Sequence, residues 1–311
     1  MAKETDGELA AGSELKPLRY SECSVTGAVE SISSDVILPD SRIKSIPENG
    51  VESNSGDITT EWNIDEQDDM FASVMCQDDW TDEADTHSSY DIYKTLKLGT
   101  TKTSYSIIKK FTQAPVEFQH FKQERVNQLQ IALALNSFAK LTWSFMGSNH
   151  PKTVTSDPAE DCTYETASTT KSFKTLNGSI KIGDSAEGLV QCRQISDFSL
   201  TINNNMENTN ALFETEAIES SFGDFDVTGS FDVWRADDIA RVLSNDAIDG
   251  VEKYIQVTLE REVGGKTYQY IINLIVHLDG SSESKDGNKL KNTINFTVGR
   301  ADGIEFVKTV K

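Results

Sequence analysis

The sequence is short of the residues from which most catalytic and metal centres are built. Its 311 residues include only 4 cysteines and 4 histidines. Cys23, Cys76, Cys162 and Cys192 stand far apart with no CxxC pair, which points to reduced thiols rather than a disulfide frame or a zinc site. HExxH and a nucleophile elbow are both missing, and LGTTKTS lacks the GxxxxGK[ST] frame of a phosphate loop. Glu117 and His120 in EFQH have the spacing of a carboxylate metal motif, but their segment alternates like a strand, and such sites need a helix and a second copy. The acids of DGSSESKDGN do not follow calcium-loop spacing, so this stretch reads as a charged hairpin tip. Neither a cofactor nor enzyme chemistry is expected.

Basic residues are scarce as well. With 29 Lys and Arg against 50 Asp and Glu, the formal net charge is -21, which argues against a surface that grips nucleic acid or anionic lipid. It leaves room for DNA to slide along an acidic wall without being held, since few cations are available to contact phosphates. Long apolar runs are absent too: IINLIVHL is far too short to span a bilayer, and MAKETDGELA has no signal-peptide character. The expectation is no membrane partner and folding in a cytoplasm. A hydrophobic share of 37%, with 8% aromatic, is enough for β-rich cores.

What the chain does contain is an internal echo. GDITTEWNIDEQDDMF from Gly56 returns in altered form as GDFDVTGSFDVWRADDIA from Gly223; once two residues are inserted after the opening Gly-Asp-hydrophobic, a constant offset of 169 sets Thr59 on Thr228, Trp62 on Phe231 and Ile64 on Val233. In the second copy Phe225, Val227, Phe231 and Val233 alternate with Asp224, Asp226, Thr228, Ser230 and Asp232, the pattern of a strand with one buried and one wet face. In the first, Ile58, Trp62 and Ile64 oppose Asp57, Thr59, Glu61 and Asn63, with Thr60 the exception on the apolar side. Each strand runs into a short helix. Asp68, Asp69, Asp237 and Asp238 are placed as helix-capping carboxylates, and Met70, Phe71, Val74, Ile239, Val242 and Leu243 as the apolar stripes.

The rest of the chain reads as mainly β, in two related domains. Residues 1–17 form a polar arm, 18–147 a first β domain, 148–189 a Ser/Thr/Lys-rich linker and 190–311 a second β domain. YIQVTLEREVGGKTYQYIINLIVHL predicts a hairpin turning at Gly264 and Gly265, and LTWSFMG matches NTINFTVG in kind, Phe145 corresponding to Phe296. The stretch from about Asp82 to Lys102 reads as a long polar loop.

Strands, a Gly-Asp strand with alternating faces, a short helix opened by paired aspartates, a long polar loop and a final hairpin, all present twice, resemble the tail tube proteins of long-tailed bacteriophages. The resemblance covers residues 18–147 and 190–311 and is carried most specifically by the two Gly-Asp segments. It implies that each domain is two packed antiparallel β-sheets, sandwich- or barrel-like, flanked by a short α-helix. It also implies rings stacked into a virion tail tube, assembled in the host bacterial cytoplasm, whose lumen admits the tape measure protein and then passes the genome without binding it. Tail tip and tail terminator proteins would be its other partners. Since six tube domains can come from three double chains, the duplication points to a trimeric ring with pseudo-sixfold symmetry, a hexamer being the second choice.

On this reading Asp57, Thr59, Glu61, Asn63, Asp224, Asp226, Thr228, Ser230 and Asp232 are candidates to face the lumen. The acidic Asp82, Glu83 and Asp85 and the basic Lys94, Lys97 and Lys102 are candidates for contact between stacked rings. Two other classes remain open. A tandem β-sandwich binding or decoration module would need clustered exposed aromatics, and an acidic-residue hydrolase a concave site with two carboxylates about 5 to 10 Å apart.

Overall fold

The computed structural model describes the chain apart from residues 6, 34–45, 84–86, 88, 237 and 288. In chain order come β1 (Ala2–Lys3), β2 (Glu14–Leu15), β3 (Glu22–Cys23), β4 (Thr26–Ile32), β5 (Glu48–Glu61) and helix α1 (Asp68–Val74). Next are β6 (Thr81–Asp82), β7 (Ile92–Lys97), β8 (Tyr105–Phe111), β9 (Glu117–Ala134) and β10 (Lys140–Gly147). Five shorter or middle strands follow: β11 (Thr163–Tyr164), β12 (Gly178–Gly183), β13 (Val190–Gln191), β14 (Ile195–Asn203) and β15 (Glu207–Thr209). The chain continues through β16 (Glu219–Ser221), β17 (Asp226–Trp234), helix α2 (Asp238–Asp249), β18 (Glu252–Val263), β19 (Lys266–Asp286), β20 (Lys289–Val298) and β21 (Ile304–Val310). The fold is mainly β with antiparallel sheets, as expected from the alternating patterns.

The main sweep of strands runs β4, β5, β10, β9, β14, β17, β20, β19, each antiparallel to the next. β9 and β14 are the joint between the two halves of the chain, with Asp197 opposite Ala134 through Asn203 opposite Gln128. A second joint pairs β21 with β7, Glu305 opposite Lys97 through Val310 opposite Ile92. β9 and β19 are long enough to serve two neighbourhoods. The start of β9 pairs with β8 and its end with β10, while the start of β19 pairs with β18 and β21 and its end with β20.

Alternation decides what each face touches. On the core side Ile58, Leu129, Ile131, Leu141 and Trp143 from the first half share one buried cluster with Phe198, Leu200, Val227, Phe231, Ile294 and Phe296 from the second. The exception at Thr60 is accounted for, because its buried hydroxyl accepts the indole N–H of Trp143 at 3.2 Å. Helix α1 lays Met70, Phe71 and Val74 on this core, with the Phe71 ring edge-on to Trp143 at 5.1 Å. Phe173, from the segment expected to be a linker, is fully buried against Trp62 and Tyr270, and β12 of the same segment pairs with β18. The N-terminal arm is also tied down: β1 pairs with β8, and Ala2 and Leu15 pack with Ala159. The Gly264-Gly265 turn forms as predicted, with positive φ at both glycines.

Several expectations change. Asp68 and Asp69 open α1, but no side chain caps it; Asp68 instead accepts bonds from Lys308 and from the Tyr270 hydroxyl at 2.5 Å, and Asp69 pairs with Lys16 at 3.0 Å. The ammonium of Lys308 is buried between Asp65, at 2.5 Å, and Asp68, so β21 is clamped to α1 by charge as well as by packing. Asp238 pairs with Arg241 one turn along α2, and Asp237 lies outside the described residues. The stripe of α2 is Ala240, Leu243 and Ala247, whereas Ile239 and Val242 are exposed. The offset of 169 and the match of Phe145 with Phe296 cannot share one register: Thr59 faces Thr142 and Thr228 faces Thr297, four residues out of step with Phe145 and Phe296. Four is even, so both alignments keep the same residues on the same face.

Trp143→Ala should cost about 3 to 5 kcal/mol, since it empties a fully buried site and removes the nearer of the two rings edge-on to Phe71; urea unfolding of the unassembled protein measures it. Glu124 gives a pH test. Burial pushes its carboxyl up to about 8, with Glu4 adding to the rise, and neither of its oxygens has a hydrogen-bond partner. A carboxyl with a folded pKa above its unfolded one favours the fold at low pH, and this contribution is lost as pH rises from about 4.5 through about 8. The thermal midpoint of Glu124→Gln should therefore gain on that of the natural protein steadily between pH 5 and pH 9.

Candidate functional site

The face of the main sweep opposite the core is a polar surface continuous over strands from both halves of the chain. Cross-strand partners line up in rows across it. One row runs Glu22, Thr59, Thr142, Gln130, Thr201, Thr228 and Thr297; a second runs Asp57, Ser144, Gln128, Asn203 and Asp226. Hydroxyls and amides dominate it, because these positions are out of phase with the apolar ones on every strand and the phase carries over the β9–β14 joint. Carboxylates stand among them, with the cation Lys140 directly opposite Glu61, while Lys291, opposite Trp234, reaches diagonally to Asp232.

Most of the sequence-derived face residues lie on this surface. Asp57 accepts from the Ser144 hydroxyl at 2.6 Å, and the Thr59 and Thr142 hydroxyls meet at 3.3 Å. Glu61 accepts from Ser172 at 2.5 Å. Asp226 accepts from the Asn205 amide at 2.7 Å, and Asp224, just before β17, offers its backbone carbonyl to the same amide. Thr228 and Ser230 sit in the rows, and Asp232 binds Lys291 and Thr293 at 2.5 Å each, a bond that raises the Lys291 ammonium above its ordinary value. Asn63 is different. It lies past the end of β5, is 3% exposed, and spends its amide on the Glu61 carbonyl and Ser172, so it does not reach the wet face. Sequence reasoning missed the contributions of β9, β10, β14 and β20. Gln128, Gln130, Thr142 and Thr201 carry the same period-2 signal as Asp57 and Thr59, but nothing local says that their strands are neighbours.

The stretch from Asp82 to Lys102 is not one long loop. It contains β7, which is held between β6 and β21. Asp82 is in β6, and Glu83 accepts from Thr95 at 3.1 Å. Lys94 and Lys97 are on β7, Lys97 pairing with Glu305 at 3.2 Å; Lys102 pairs with Glu219 at 2.7 Å and holds that carboxyl below its usual range. Asp85 lies outside the described residues.

The motifs set aside in the sequence take ordinary positions. Glu117 and His120 are on strand β9, where His120 shares a 2.9 Å hydrogen bond with Ser106. Trp62, Trp80 and Trp143 are buried, leaving no exposed tryptophan cluster among the described residues for ligand stacking. All four cysteines are free thiols. No described helix is long and apolar enough to cross a membrane.

No curated protein sequence matches the chain. A family model described as phage tail tube protein matches residues 1–298. With nearly the whole chain covered, the protein belongs to the phage tail tube protein family and is a structural protein of the virion tail.

Proposed function

We propose that three copies of the chain close into a ring of pseudo-sixfold symmetry, that rings stack into the tail tube, and that the polar face of the main sweep lines its channel. The observation that carries this reading is the continuity of that face over strands from both halves of the chain, with an apolar core behind all of them. On this reading the two halves are duplicated tube domains, here sharing one sheet and one core.

Strand spacing sets the width that each copy number would give. Eight strands about 4.8 Å apart span about 38 Å, so three copies close a circumference of about 115 Å. A strand tilt of about 40° widens the resulting barrel to about 48 Å across its backbone. Six copies would double that width. Rows of hydroxyls and amides with acids among them give DNA little cationic surface to hold, so the tape measure protein and later the genome pass without being retained. Asp57, Thr59, Glu61, Asp226, Thr228, Ser230 and Asp232 are the lumen residues in this account, with Asp224 at its rim. Of the stretch from Asp82 to Lys102, the residues Asp82, Glu83, Asp85 and Lys94 are assigned to contact between rings, while Lys97 and Lys102 serve pairs within the chain. The end rings would meet the tail tip and tail terminator proteins.

Electron microscopy of the purified protein at rising concentration tests the ring. Hollow stacked rings with threefold end-on averages are expected; sixfold averages with one chain per sixth would overturn the trimer, and monomers at every concentration, even with tail-initiating proteins added, would overturn the tube. The channel has its own test. Tubes carrying Thr142→Lys, Gln130→Lys and Thr228→Lys, three added cations per chain and nine per ring, should retain DNA fragments at low salt and release them steeply as salt rises, whereas the natural tubes show no such salt-dependent retention. Unchanged passage of DNA through such tubes would place the polar face elsewhere.

A further inference from the structure

Two positions in the chain show the same construction, and one is left unfinished. In the first half β10 and β9 pair with a bulge at Asn127: Ser144 faces Gln128, and Phe145 faces Val126. In the second, β20 and β19 pair with a bulge at Asp279: Asn295 faces Gly280, and Phe296 faces Leu278. Behind each phenylalanine stands a strand glycine, Gly56 opposite Phe145 and Gly229 opposite Phe296. A side chain at either would collide: a Cβ on Gly229 would come within 2.3 Å of the Phe296 ring, and one on Gly56 within 2.5 Å of the Val25 backbone.

These fixed points align the next strand out. Leu200 faces Gly229, and the register of β3 and β4 on β5 brings Val25 level with Gly56. ECSVTGA (22–28) thus corresponds to DFSLTIN (197–203), with Ser and Thr identical at two positions and an acid at the head of each. In the first half the outer edge of β9 from Gln128 to Ala134 is taken by DFSLTIN itself. In the second half the equivalent edge of β19, residues 280–286, has no strand against it among the described residues, because β18 ends its ladder at Glu252 opposite His277. Among the described residues the outer edge of β3 and β4 is also without a strand, both pairing with β5 alone, and the Val25 carbonyl accepts from the Lys109 ammonium. These two open edges stand at opposite ends of the main sweep.

We infer that residues 280–286 of one copy pair antiparallel with residues 22–28 of the next, repeating between chains the joint that β9 and β14 make within one. The register follows from the internal joint: Gly280 meets Ala28, Ser282 meets Thr26, Ser284 meets Ser24 and Asp286 meets Glu22. This inference rests on the ring reading above and names the surfaces that close the ring.

The chemistry of the two joints differs in a useful direction. Within the chain the core-facing positions are Leu129, Ile131 and Leu133 on β9, all buried. Their counterparts on β19 are Ser281, Glu283 and Lys285, and Glu283 is held by Arg235 at 2.5 Å. An open edge with charged side chains where the internal joint has apolar ones resists indiscriminate pairing, which keeps free subunits from aggregating. The inter-chain ladder therefore depends on backbone hydrogen bonds made in one register, and its two ends are supplied by identical copies.

Two measurements decide it. Hydrogen exchange on the natural protein should show amides within both 22–28 and 280–286 slowing about tenfold or more when monomers become tubes; unchanged exchange in either strip would overturn the joint. Cross-linking fixes the register. In a chain with Cys23→Ser and Cys162→Ser, Thr26→Cys with Ser282→Cys should form disulfide-linked multimers in assembled tubes at about ten times the yield of Thr26→Cys with Ser284→Cys, whose displaced pair exceeds the reach of a disulfide. Tubes that form with no preference for the first pair would overturn this joint and leave the tube standing. Failure of the natural protein to form rings would instead remove the reading on which the joint rests.

Discussion

The ladder between β9 and β14 is the interaction on which the rest of the molecule depends. Seven consecutive pairs, from Asp197 with Ala134 to Asn203 with Gln128, hold the two halves in a single register. That register is strongly specified, because a slip of one residue would turn Phe198, Leu200 and Ile202 out of the core and drive Ser199 and Thr201 into it. Once it is set, the core of the first half continues into that of the second, and the polar rows continue with it.

The second connection, β21 against β7, works on the opposite side of the core. It brings Lys308 from the end of the chain to Asp65 and Asp68 at the start of α1, and Tyr270 from β19 to the same Asp68. A buried ammonium is tolerable only with its carboxylates in place, so this network ties the C-terminal strand to one arrangement of the first helix. With Phe71 packed on both Trp143 and Phe306, helix and strands form a rigid backing for the polar sheet. If the polar sheet lines the channel as proposed, such a backing would let the wall hold its shape while other molecules move past it.

The exposed edges show a different economy. Where a strand must pair within the chain, its inward residues are large and apolar; where it is left open, as in residues 280–286, they are small or charged. On the proposed inter-chain joint, a subunit built this way would stay dispersed until a matching edge is presented in the right register, a restraint that suits growth of a tube by ordered addition.

Much of this was legible in the sequence. Alternation from Asp224 to Trp234 named the buried and wet faces of β17 correctly, Gly264 and Gly265 announced their turn, and Trp62 and Trp143 could be placed inside. These are local properties: period, turn chemistry and side-chain size act over a few residues. What the tertiary structure decided was neighbourhood. β7 was hidden in a polar stretch because its partner β21 lies about two hundred residues away, and Asn63 left the wet face because the chain turns inward beyond Glu61. The echo between the halves was visible as pattern, but only the two bulges and the two strand glycines set its register. A period-2 pattern is unchanged by an even shift, so sequence alone determined which side of each strand meets water, and cross-strand pairing alone determined which strands share that side.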